Sequence, residues 1–104
     1  MGKKEYIKNL GKFKRDLSLS IPIDRMILFG SRANGKPNRW SDFDIIIVSK
    51  RFKGKRFRYR SIGFHKYWKL DYPVDFLCYT PEEFNKLKKQ VTIVKEAVEN
   101  GIEI

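Results

Sequence analysis

The 104 residues give room for one domain and one core, and a single cysteine, Cys78, excludes an internal disulfide and a cysteine-rich zinc site. One histidine, His65, likewise excludes an ordinary histidine-based metal centre, so any metal must be held by oxygen, which suits magnesium or manganese. With 23 basic against 12 acidic residues the net charge is +11, which favours nucleic acid, nucleotide phosphates or an acidic protein as partner.

No apolar run approaches the roughly 20 residues that span a bilayer. The opening MGKKEYIKNL lacks the apolar stretch of a secretory signal, so a cytoplasmic location is expected. No repeat or linker divides the chain, and residues 1–104 read as one domain.

In chain order, residues 3–19 predict an amphipathic helix with Tyr6, Leu10, Phe13 and Leu17 on one face. Arg25 to Phe29 is a short apolar run ending at Gly30, bounded like a buried strand. Ser31 is placed to cap a short helix that must stop by Gly35 or Pro37. Asp44-Ile45-Ile46-Ile47-Val48 is apolar on both faces and β-branched, which predicts a central strand.

Residues 55–69 place Phe57, Ser61, Phe64 and Trp68 at helical spacing, with Gly63 as a weak point. Val74 to Tyr79 predicts a third strand. Thr80-Pro81-Glu82-Glu83 is a strong helix start, with a capping hydroxyl, a first-turn proline and two acids beside the helix dipole. A last helix over 90–100 would present Val91, Val94, Ala97 and Val98 before Gly101 ends it. Three strands interleaved with helices predict an α/β (α+β) domain, with helices packed on a small mixed three-stranded sheet.

The residues that carry chemistry are Gly30-Ser31, then, ten residues on, Asp42-Phe43-Asp44, and later Asp75. A glycine at a strand end permits a sharp turn and close approach to a ligand. A serine opening a helix offers free amides and a hydroxyl to a phosphate. Asp42 and Asp44 are two apart, so in extended chain both carboxylates leave the same face. Two such carboxylates repel unless a cation sits between them. Asp75 adds a third from another strand, and three carboxylates with phosphate oxygens can complete magnesium sites. Alone, each piece has a duller explanation in a common turn, a solvated strand start or a surface ion pair. Their occurrence in order favours catalysis.

Gly30-Ser31, the ten-residue spacing and Asp42-Phe43-Asp44 resemble the motif of the DNA polymerase β-like nucleotidyltransferase superfamily. With Gly30-Ser31-Arg32-Ala33, Ser41-Asp42-Phe43-Asp44 and Val74-Asp75, the chain is similar over nearly its whole length to the minimal nucleotidyltransferases. The resemblance implies that Asp42, Asp44 and Asp75 hold magnesium, that Asp75 activates the incoming hydroxyl, and that Gly30 and Ser31, with Arg32 nearby, hold phosphates of ATP or another NTP. Relatives often continue Gly-Ser-Arg-Ala with Arg-Gly, whereas Asn34-Gly35 stands here. The resemblance also implies a HEPN-class helical protein partner, as in toxin–antitoxin pairs, to which AMP is added. A non-catalytic antitoxin or adaptor, and a basic nucleic-acid-binding domain, are the competing functions.

Between Lys50 and Arg60 lie seven basic residues and no acid. This run could bind nucleic acid or an acidic partner, or be a solvated loop. Phe52, Phe57 and Tyr59 interleave with the charges, as in single-stranded nucleic-acid sites, and are read here as the core face of the expected 55–69 helix. His65 reads as a surface residue, Cys78 as core, and Trp40 as a loop anchor with base stacking as the alternative.

Overall fold

A computed structural model describes residues 2–35 and 41–104. Helix α1, Lys3–Leu17, leads into strand β1, Arg25–Phe29, and the short helix α2, Ser31–Asn34. Strand β2 is Phe43–Val48 and β3 is Val74–Tyr79, and helices α3, Pro81–Leu87, and α4, Ile93–Asn100, precede β4, Ile102–Glu103. The sheet order is β3-β2-β1-β4. β1 runs antiparallel to β2 and β4, while β2 and β3 are parallel, so the sheet is mixed as expected.

Each face of the sheet is covered by helix, and period-2 alternation sorts the side chains. Tyr6, Leu10, Phe13 and Leu17 of α1 pack on Met26, Leu28, Phe43, Ile45 and Ile47. Burying each large apolar side chain contributes about 1.5–3 kcal/mol. On the other face Ile27, Ile46 and Val48 meet Phe84 of α3 and Val94 and Ala97 of α4. β2 is buried from both sides, which is why its sequence shows no polar alternation after Asp44.

The helix start at Thr80 is a complete capping box: Thr80 Oγ1 accepts from the Glu83 amide, and the Glu83 carboxylate accepts from the Thr80 amide.

Four expectations need correction. The sheet has a fourth strand, because the chain turns back at Gly101 and pairs Ile102 with Leu28 and Glu103 with Ile27. Two paired residues leave no periodicity to detect. Residues 55–69 form no α-helix but 3-10 turns at Phe57–Tyr59 and Phe64–Tyr67, separated by Gly63 at φ +88°. Phe64 is buried, yet Phe57 and Tyr59 are exposed, so among the three interleaved aromatics only Phe52 is core. The last helix begins at Ile93, with Thr92 accepting from the Lys95 amide, which leaves Val91 97% exposed ahead of it and Val98 exposed on its outer side. Finally, Gly30 caps α2 and Ser31 is its first helical residue, with no side-chain cap bond. Pro37 and Trp40 lie outside the described residues.

The basic run is also less uniform than its sequence. Arg60 is buried and donates to the Lys55 and Cys78 carbonyls at 3.0 and 3.1 Å, and its guanidinium grips both oxygens of Glu83. This pairing holds the Glu83 carboxyl below the usual carboxylate range. Cys78, on the core side of β3, is pushed up to about 12 by burial and is no nucleophile. His65 is exposed, its ring beside Phe76. Among the described residues no helix is long and apolar enough to cross a membrane.

Because Glu83 is depressed in the folded state, its contribution is present above the ordinary glutamate range and is lost as pH falls through the folded value. Glu83→Gln should therefore cost about 1 kcal/mol at neutral pH, a modest figure because the carboxylate is partly solvated. In urea titrations the gap to wild type should close as the pH drops below about 4.

Candidate active site

The two ends of the sheet differ in chemistry. At one end β1 stops at Phe29, while β2 and β3 begin, and the three chain segments bring Gly30, Asp44 and Asp75 together. Phe29 pairs with Asp44, and Asp44 pairs with Asp75 across the parallel ladder. Neighbouring strands lie about 4.8 Å apart. Asp44 shares its face with Ile46 and Val48, and Asp75 with Leu77 and Tyr79, so both carboxylates stand on the α3/α4 side. Asp42, two residues before Asp44, is exposed, as is Asp75, and Asp44 is half-buried.

Gly30 is held at φ 77°, ψ −158°, a region essentially reserved for glycine. A Cβ placed there would lie 2.6 Å from Asp44 Oδ2. The bare Cα is thus what admits the Asp44 carboxylate beside the turn. Asp44 is raised above the ordinary carboxylate range, first by burial and then by the charges of Asp75 and Asp42. The charges of Asp75 and Asp42 are thus both felt at Asp44.

Among the described residues no three His, Cys, Asp or Glu side chains already stand at metal-holding spacing. Asp42 and Asp75 are exposed, so their carboxylates stand in solvent. An all-oxygen donor set with unneutralised negative charge fits a hard divalent cation, magnesium before any thiol-seeking metal.

Arg32 occupies a place that its sequence did not reveal. It is 5% exposed, and its Nε and Nη2 donate to the Ser41 carbonyl at 3.1 and 2.8 Å. Its guanidinium lies 4.6 Å from the ring centroids of both Phe43 and Tyr72. Tyr6 hydroxyl donates to the Arg32 carbonyl, and Lys3 Nζ to the Ala33 carbonyl at 2.6 Å. Asn34, where relatives often carry arginine, donates to the Asn100 carbonyl at 3.3 Å. Helix α2 is thus tied to α1, to the residue before Asp42 and to the end of α4.

A family model described as a nucleotidyltransferase domain matches residues 7–103. The chain belongs to the nucleotidyltransferase domain family. A Methanocaldococcus jannaschii protein named "putative protein adenylyltransferase" is 29% identical over 102 residues, covering 96% of this chain and 99% of its own length. A "putative nucleotidyltransferase" from Sulfolobus solfataricus, known from its crystal structure, superposes with a TM-score of 0.67 at 20% identity, over 97% of this chain and 80% of that one. The latter likeness establishes the shared fold.

Within this nucleotidyltransferase, the structure brings Gly30 and Asp44 into contact and sets Asp75 beside Asp44. Ser31 is exposed at the start of α2. Its amide and that of Arg32 precede the first hydrogen bonds of the helix, which begin with Ala33 and Asn34 donating to Gly30. The ties made by Tyr6, Tyr72, Lys3 and Asn100 escaped sequence reasoning, since nothing local marks a side chain whose partner is 26 or more residues away, as for Tyr6 and Asn34.

Gly30→Ala should cost about 1–3 kcal/mol from backbone strain alone and push Asp44 from its place. Thermal unfolding and metal titration of the variant should show lowered stability together with weakened magnesium binding. A variant that binds magnesium like wild type would separate the glycine from the site.

Proposed function

We propose that this nucleotidyltransferase transfers AMP from ATP, with magnesium or manganese, to a hydroxyl group on a partner protein. The observation that carries this is the register of Asp44 with Asp75 beside the bare backbone of Gly30. The choice of AMP and of a protein acceptor is supported by the name of the M. jannaschii relative.

In this reading Asp42, Asp44 and Asp75 hold the metal, whose bound form would neutralise triphosphate charge and acidify the acceptor hydroxyl. The exposed hydroxyl of Ser31, with the open amides of Ser31 and Arg32, holds terminal phosphates, and Gly30 lets them approach the backbone. The guanidinium of Arg32, already bonded to Ser41, serves the same end by fixing the chain that enters Asp42. The acceptor oxygen attacks the α-phosphorus in line. A new P–O bond forms as the bond to the β-phosphate bridge breaks, and pyrophosphate leaves with the electron pair. Asp75, the most accessible carboxylate of the strand pair, receives the hydroxyl proton. The protein otherwise contributes by holding the reacting groups in place.

A helical protein of the HEPN class is the acceptor that the sequence resemblance suggests, with this chain as its antitoxin. A purely binding antitoxin has no use for a half-buried Asp44 with Asp75 beside it and Asp42 two residues away, and this favours catalysis over the adaptor reading. The nucleic-acid reading is weakened because Arg60 is committed to Glu83 and Phe52 to the core.

ATP with magnesium should raise the melting temperature, by the equivalent of about 2.7 kcal/mol at a hundredfold excess over Kd. Asp42→Asn with Asp44→Asn should abolish that shift. With α-³²P-ATP and a HEPN-class partner protein, label should pass to a partner hydroxyl, and Asp75→Asn should keep the complex but stop labelling. A partner neutralised equally by wild type and Asp75→Asn, with no label in either, would replace the enzyme by a binder.

A further inference from the structure

At the end of the sheet opposite the carboxylates lies a groove of about 440 Å³. It is built where the last turn of α1 meets the excursion between β2 and β3. Leu17, Ile21, Phe52 and Phe64 line it with apolar surface, and Arg51, Lys55 and Lys66 stand around it. No acidic residue lines it. Arg60 also borders the groove, but its charge is met by Glu83. Among the described residues Arg51, Lys55 and Lys66 enter no ion pair.

The apolar character continues onto the surface. Ile62, also in the lining, is 73% exposed, and Leu19, between the lining residues Leu17 and Ser20, is 86% exposed. Tyr59 adds a half-exposed ring. Single exposed aliphatics are ordinary on a protein surface, but Ile62 stands in the groove lining and Leu19 beside it, where a partner's apolar surface would cover both. Phosphate alone would use the cations and leave Leu19 and Ile62 wet. Nucleobases stack on aromatic faces, whereas branched aliphatics at the rim match aliphatic side chains.

We propose that this groove docks an acidic amphipathic segment of a partner protein. Its apolar side chains enter between Ile21, Tyr59 and Ile62, and its carboxylates meet Arg51, Lys55 and Lys66. Charge complementarity speeds encounter, and the apolar contacts set how long the partner stays. Asp44 and Val48 are separated by about 13 Å along β2, and the groove lies past Val48, so a docked segment leaves the carboxylates open. Docking does not depend on the transfer chemistry and would hold for an adaptor equally.

The test uses the full chain and three fluorescein-labelled probes in anisotropy titrations. These are a helical glutamate–leucine peptide with its leucines on one face, the same composition scrambled, and an oligouridylate. The amphipathic peptide should bind about tenfold tighter than the scrambled one, and Leu19→Ser with Ile62→Ser, which removes no charge, should erase that preference. Lys4→Glu with Lys8→Glu, elsewhere on α1, should weaken both peptides equally and keep the preference. Melting curves check that each variant folds. Equal affinity for the two peptides, or a preference untouched by Leu19→Ser with Ile62→Ser, would reduce the interaction to net charge and overturn the proposal. Oligouridylate binding tighter than the amphipathic peptide would assign the groove to single-stranded nucleic acid instead.

Discussion

Asp44 sits against the bare Cα of Gly30 and faces Asp75 across the parallel strand pair, with Asp42 two residues away. Burial of Asp44, and after it the charges of Asp75 and Asp42, raise its proton affinity. A cation would lower it. Until one binds, this corner of the sheet must be held together by everything around it, and much of the fold can be understood as doing so. The triple-isoleucine strand that carries Asp44 is buried on both faces, which fixes its register. α1 closes one face and also reaches α2 through Lys3 and Tyr6.

Arg32 is the joint of this arrangement. Set against the rings of Phe43 and Tyr72 and bonded to the Ser41 carbonyl, it couples the turn at Gly30 to the entry of β2. Arginine alone supplies a planar cation with several directed donors, so one side chain can satisfy rings and carbonyl together. Its burial costs desolvation, which those contacts offset.

Much of this was legible in the sequence, for physical reasons. Burial from both sides made β2 readable, a one-sided helix made α1 readable, and Thr80 to Glu83 announced its helix through capping chemistry. The ordered spacing of Gly30, Ser31, Asp42, Asp44 and Asp75 pointed to a candidate site before any fold was known, because the chemistry constrains residue type and spacing together, and the fold brings Gly30, Asp44 and Asp75 to one end of the sheet. What stayed hidden depends on distant partners. The stretch 55–69 imitates helical spacing while Gly63 and the inward-turned Arg60 hold it in 3-10 turns. β4 is two residues long and gains its identity only from pairing with β1. The resemblance placed Arg32 near the phosphates, and only the tertiary structure shows the carbonyl and rings that hold it.

In the proposed reading Asp42, Asp44 and Asp75 form one metal and nucleotide site beside Gly30. Anomalous diffraction from crystals grown with manganese and a non-hydrolysable ATP analogue tests it most directly. The account predicts manganese in the corner between Asp42 and Asp44, with Asp75 in its coordination sphere, ligand distances of about 2.1–2.2 Å, and the triphosphate lying over Gly30 and Ser31. Manganese bound elsewhere, or bound with Asp75 turned away from it, would contradict the account.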